Sequence, residues 1–142
     1  MKKLVFVLML LALLVTPSLA LAGKPRYEVR GQGKVQLFGD DVSVSHVSVN
    51  AWVNGNGVAQ GRLTWVGGVS PNALPTAYPW QMDVTSMAFS GNTATVCWVV
   101  VHAVNPLDIG FDDCFIFTDN RATGAPDEIS GVPLEAGNII VR

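Results

Sequence analysis

The sequence predicts an all-β domain, an antiparallel sandwich or small barrel of about eight strands. Three observations lead there. Apolar and polar residues alternate with a period of two over most of the chain beyond residue 40, as along a strand with one buried face. Gly, Asn and Pro cluster between those stretches at short intervals, where turns need them. No apolar stripe of helical period runs through residues 23–142.

The elements follow in order. Val42 and Val44 share one face, and Val47, Val49, Ala51 and Val53 continue in the opposite phase. That one-residue slip predicts a β-bulge at Ser45-His46. Asn54-Gly55-Asn56-Gly57 supplies the positive φ angles of a tight hairpin. The returning strand sets Leu63 and Trp65 on one face and Gln60, Arg62 and Thr64 on the other. Gly67-Gly68, Pro71 and Pro75, with Pro79 just beyond, predict the longest irregular loop over residues 67–77. Extended character resumes over 82–89, and Ser90-Gly91-Asn92 turns the chain. Residues 93–101 form the strongest strand, with Ala94, Val96, Trp98 and Val100 opposite Thr95, Cys97, Val99 and Val101. Both sides are apolar enough to predict a central strand covered on both faces. A second loop over 102–113 leads to a strand over 114–118, a turn opened by Asp119-Asn120, a short segment at Ile129 and a final strand over 138–142.

Residues 1–22 have the pattern of a secretory signal peptide. Lys2 and Lys3 precede an apolar run over 4–15, and small residues stand at Ala20 and Ala22. That run is about 12 residues long, well short of the roughly 20 that span a bilayer. Residue 23 is Gly and not Cys, so no lipid anchor is expected there. Cleavage leaves 23–142 as a single secreted domain, with seven basic residues against 11 acidic ones and a net charge of −4. A mildly acidic chain without a Lys/Arg run argues against nucleic acid and against stable membrane insertion. In an oxidising compartment, Cys97 and Cys114, on strands flanking one loop, are expected to pair.

Several turn-and-strand signatures occur in a fixed order: Val47-x-Val49-x-Ala51, Gly57-x-Ala59-x-Gly61-x-Leu63, Ser90-Gly91-Asn92-x-Ala94, Asp119-Asn120, Asp127-x-Ile129 and Gly137-Asn138-Ile139. Together they resemble a group of small, poorly characterised all-β domains of bacterial secreted and cell-surface proteins. The resemblance covers most of residues 47–142. It implies the fold and an extracellular setting, and no catalytic residues. Arg121 departs from the pattern, since the group usually has Gly after Asp-Asn, and so does the Pro-rich loop over 67–81.

Catalytic signatures are thin. Gly68-Val69-Ser70-Pro71-Asn72 lacks the final Gly of a nucleophile elbow. Gly31-Gln32-Gly33 and Gly55-Asn56-Gly57 lack the third Gly and the helix of a nucleotide loop, and are expected at a strand end and a hairpin. His46 and His102 have no zinc spacing. Calcium is the one cofactor the turns suggest. Oxygen-bearing pairs stand at turns, at Asp40-Asp41, Asp112-Asp113, Asp119-Asn120 and Asp127-Glu128, and Asp119, Asn120 and Asp127 bracket one loop. Equally, Asp and Asn make turns through bonds to backbone.

Trp52, Tyr78 and Trp80 are the candidate ligand-binding residues, since flat aromatic faces suit carbohydrate or an extracellular protein. The competing expectation folds Tyr78 and Trp80 back onto the barrel. The leading expectation is a non-catalytic secreted domain with a structural, adhesion or ligand-binding role. Two others stand beside it. One is a small extracellular hydrolase-like enzyme using His102, Asp112 and Asp113. The other is a protease inhibitor presenting residues 67–80 as a rigid loop.

Overall fold

The computed structural model describes residues 27–36, 44–67 and 79–142. Residues 1–22, where the signal peptide is expected, Asp40, Asp41, Val42 and most of the Pro-rich loop, with Tyr78, lie outside the described residues. The described chain is all-β. Its strands are β1 (Glu28–Val35), β2 (Ser45–Val53), β3 (Ala59–Val66), β4 (Pro79–Ser90), β5 (Thr93–His102), β6 (Asp112–Thr118), β7 (Glu128–Ile129), β8 (Val132–Pro133) and β9 (Ala136–Val141). A single 3-10 turn, Pro106–Asp108, is the helical element among the described residues.

All strands belong to one antiparallel sheet of order β8-β7-β6-β5-β4-β3-β2-β1-β9. From β1 to β8 it is a meander, each strand pairing with the next. β9 then returns to the far side of β1, and the sheet curls until β9 touches β6. The result is a half-barrel. Glycine makes the curl possible at crowded points, two of which show the effect. Gly61 (φ +132°) and Gly137 (φ +117°) each face a neighbouring strand so closely that a Cβ would fall 2.2 Å from the carbonyl oxygen of Asn50 or Gln32.

The concave face is the core. Val47, Val49 and Ala51 of β2 alternate inward with Leu63 of β3, Met82 of β4, and Ala94, Val96, Trp98 and Val100 of β5. Phe117, Ile129 and Ile139 close it from the other side. Each fully buried large side chain contributes about 1.5–3 kcal/mol. Cys97 and Cys114 stand directly opposite in the β5–β6 register and are bonded, on the outward face.

Three expectations change. No bulge lies at Ser45-His46: Ser45 pairs with Val35 and His46 with Lys34 in unbroken register, and Val44 precedes the strand. The irregularities lie between β4 and β5, at Gln81/Met82 and Val84/Ser86. There Thr85 is the unpaired residue that lets Val84 and Met87 both face inward. Strand β5 is covered on its inner face only, for Thr95, Cys97 and Val99 are half-buried and Val101 is exposed. Gly31 and Gly33 lie inside β1 rather than at a strand end. Pro79 is the first residue of β4, the one strand position where a missing N–H does little harm.

Candidate functional site

Strand alternation sorts the connections to two ends of the half-barrel. The β2–β3, β4–β5 and β6–β7 turns gather at one end. The β5–β6 connection lies at the other, with the C-terminal ends of β1 and β3.

The end with the β5–β6 connection is aromatic. Trp65 and Trp80 stand opposite each other on β3 and β4, with ring centroids 6.1 Å apart. Trp80 lies 6.4 Å from Trp98 and 5.9 Å from Phe111, and Phe115 lies 5.1 Å from Trp98. These tilted contacts suit ring quadrupoles. The indole Nε1 of Trp98 is buried in this cluster without a hydrogen-bond partner.

The β5–β6 loop, residues 103–111, is fixed onto the cluster. The Asn105 side chain accepts the Leu107 N–H at 3.1 Å and caps the 3-10 turn. Trp80 Nε1 donates to the Asp108 carboxylate at 3.2 Å. The Gly110 N–H donates to Val100 O at 2.9 Å, and the Val100 N–H to Phe111 O at 2.8 Å. So tethered, the loop holds apolar side chains in solvent: Val104 is 62% exposed, Leu107 89%, Ile109 51% and Phe111 50%. Composition hid this feature, since four exposed apolar residues in a nine-residue connection look like any strand border. The usable signal was Pro106 with Asn105 before it, a turn that fixes where Leu107 points.

The opposite end is a polar clasp. Asp119 and Asp127 are nearly buried, 6% and 8% exposed. Asp127 accepts the Asn120 N–H and, across the sheet gap, the Ile139 N–H of β9, both at 2.7 Å. Asp119 accepts the Val141 N–H of β9 at 3.2 Å and holds the Arg121 guanidinium at 2.6 Å. Those donors belong to the edge of β9 that no strand covers. Hydrogen bonds from Arg121 are the main reason the Asp119 carboxyl sits below its usual range, and burial opposes them. The same contact raises Arg121. Asn120 ties the loop to itself through Pro126 O at 2.8 Å.

The structure therefore brings Asp119, Asn120 and Asp127 together, but with their carboxylate oxygens engaged by N–H donors. Among the described residues, no group of three or more His, Cys, Asp or Glu side chains is arranged to hold a metal ion. Trp52 and Trp80 are not brought together. Trp52 lies opposite Gln60, and Trp80 opposite Trp65, roughly 16 Å further along β3. They also point to opposite faces, Trp80 packing against the core. Tyr78 lies outside the described residues. His102, Asp112 and Asp113 are all exposed.

No protein family, curated protein or solved structure matches this chain in sequence or fold comparison. No helix among the described residues is long and apolar enough to cross a membrane.

Proposed function

We propose that this chain is an exported, non-catalytic β-domain that works in adhesion or ligand binding, with residues 103–111 as its contact loop. One observation carries the reading: a loop pinned by a cap, a tryptophan and the β5 backbone holds Val104, Leu107, Ile109 and Phe111 in water. Isolated exposed apolar residues are ordinary, but a contiguous patch marks an interaction site. A preorganised loop also loses little entropy on binding. The partner class is an extracellular protein. Leu107 and Ile109 offer aliphatic bulk for an apolar cleft, whereas a carbohydrate wants ring faces and hydrogen bonds. The leader pattern over 1–22, the Cys97–Cys114 bond and the resemblance to bacterial surface domains support export.

The test is site-specific crosslinking. A photoreactive leucine at position 107 is compared with one at Ser86, exposed on the outward face of β4. With envelope and culture-medium proteins of the producing cell, adducts are expected at 107 and not at 86. Equal labelling at both positions, or none at 107, overturns the contact loop.

A further inference from the structure

On the outer wall, β9, β1, β2 and β3 frame an open groove of about 490 Å³. Its side chains come from facing register positions. Lys34 stands opposite His46, Gln32 opposite Ser48, and Ser48 opposite Thr64. All project outward because their neighbours Val35, Val47 and Leu63 are buried inward. The β9 wall stays low, since Gly137 lacks a side chain and its strand cannot accept one there.

The charges single out this groove. Arg30 and Arg142 each meet Glu28, Arg62 meets Asp83, and Arg121 meets Asp119. Among the described residues, Lys34 is the cation without a carboxylate partner. Glu135 donates its backbone N–H to the Lys34 carbonyl and makes no ion pair with the ammonium. A lone ammonium, an imidazole and the hydroxyl and amide groups of Ser48, Thr64 and Gln32 thus line one trough in an acidic domain.

We propose that this groove binds an acidic glycan, a chain segment carrying a uronic acid, with its carboxylate at Lys34 and His46. Its hydroxyls lie along Gln32, Ser48 and Thr64, which can both donate and accept. One cation matches one carboxylate per sugar repeat. A phosphate polyanion needs several, and its affinity is built from many such contacts. The proposal rests on the export reading, which places the domain among polysaccharides, but not on the contact loop.

Isothermal titration of purified residues 23–142 with tetragalacturonate tests it. Heat of binding is expected, weakening with added salt. Lys34→Gln is expected to weaken binding at least about tenfold, as is methyl esterification of the sugar carboxylates, because both remove a charge-assisted contact. His46→Gln weakens it less. Lys34 is exposed, so its substitution leaves the melting temperature unchanged. No binding of the acidic tetramer overturns the proposal. So does equal affinity for the esterified tetramer or for the Lys34→Gln protein, or binding of sodium sulfate alone. Export is read separately, from the N-terminus of material recovered outside the cell. A glycan failure with Gly23 at that terminus removes the groove and keeps the exported domain.

Discussion

Asp119 and Asp127 show how much two side chains can be asked to do. Each carboxylate serves its own loop and also reaches β9, whose outward N–H groups would otherwise be buried without acceptors. Replacing Asp127 by Asn puts an amide NH₂ where an acceptor is needed. The variant is expected to lose about 1–3 kcal/mol, read as a lower midpoint in urea. Asp119 adds a pH dependence. Its carboxyl is lowered in the folded state, so its stabilisation is complete above the ordinary carboxylate value and is lost as pH falls through the lowered one. Melting temperature below about pH 4 should therefore fall more steeply in the native protein than in Asp119→Asn. The sequence marked both residues as bracketing one loop and offered calcium or turn chemistry. It could not show that their acceptors serve amides 12 and 22 positions onward, because that proximity exists only once the sheet has curled. Arg121 finds its reason in the same place, as the guanidinium that neutralises Asp119.

At the scale of the element, legibility followed regularity. Strands β2 and β5 alternate strictly, and their inward faces were readable residue by residue. Strand β1 was not, because Gly31 and Gly33 remove side chains from the pattern that marks a strand. The bulge was assigned to the wrong strand for a related reason. Val44 stops before β2 begins, so its phase constrains nothing, while Val84 and Met87 carry a true phase change inside β4. The β5–β6 pair was legible down to its crosslink. Cys97 and Cys114 sit opposite each other, and their bond closes a loop that includes the exposed turn at Pro106–Asp108. Replacing both cysteines by Ala is expected to cost about 3 kcal/mol in the chain-entropy view, seen as a lower melting temperature. The aromatic cluster was partly legible. Trp98 is core, and Trp80 folds inward, as large aromatics tend to do, while the exposed apolar surface passed to a loop that had drawn notice only for its Asp and His.

On the scale of the whole molecule, the two ends divide the work. One is tightened by short turns and the Asp119–Asp127 clasp, and the other carries the aromatic cluster and the exposed apolar loop over 103–111. The all-β class was readable from the sequence because alternation and turn chemistry agree along most of the chain. The half-barrel, with β9 returned to β1, was not. It depends on close approaches at Gly61 and Gly137 that leave no trace except the glycines themselves.

The clasp has a consequence for how the protein behaves in a crowd. A strand with one unpaired side is a template onto which another chain can add. Here two carboxylates occupy the two amides a foreign strand would need first. They act as a plug against polymerisation as much as a brace for the fold. The double variant Asp119→Asn/Asp127→Asn should therefore form concentration-dependent oligomers by light scattering at temperatures where the native protein stays monodisperse. A double variant that melts early yet remains monomeric would reduce the clasp to a brace.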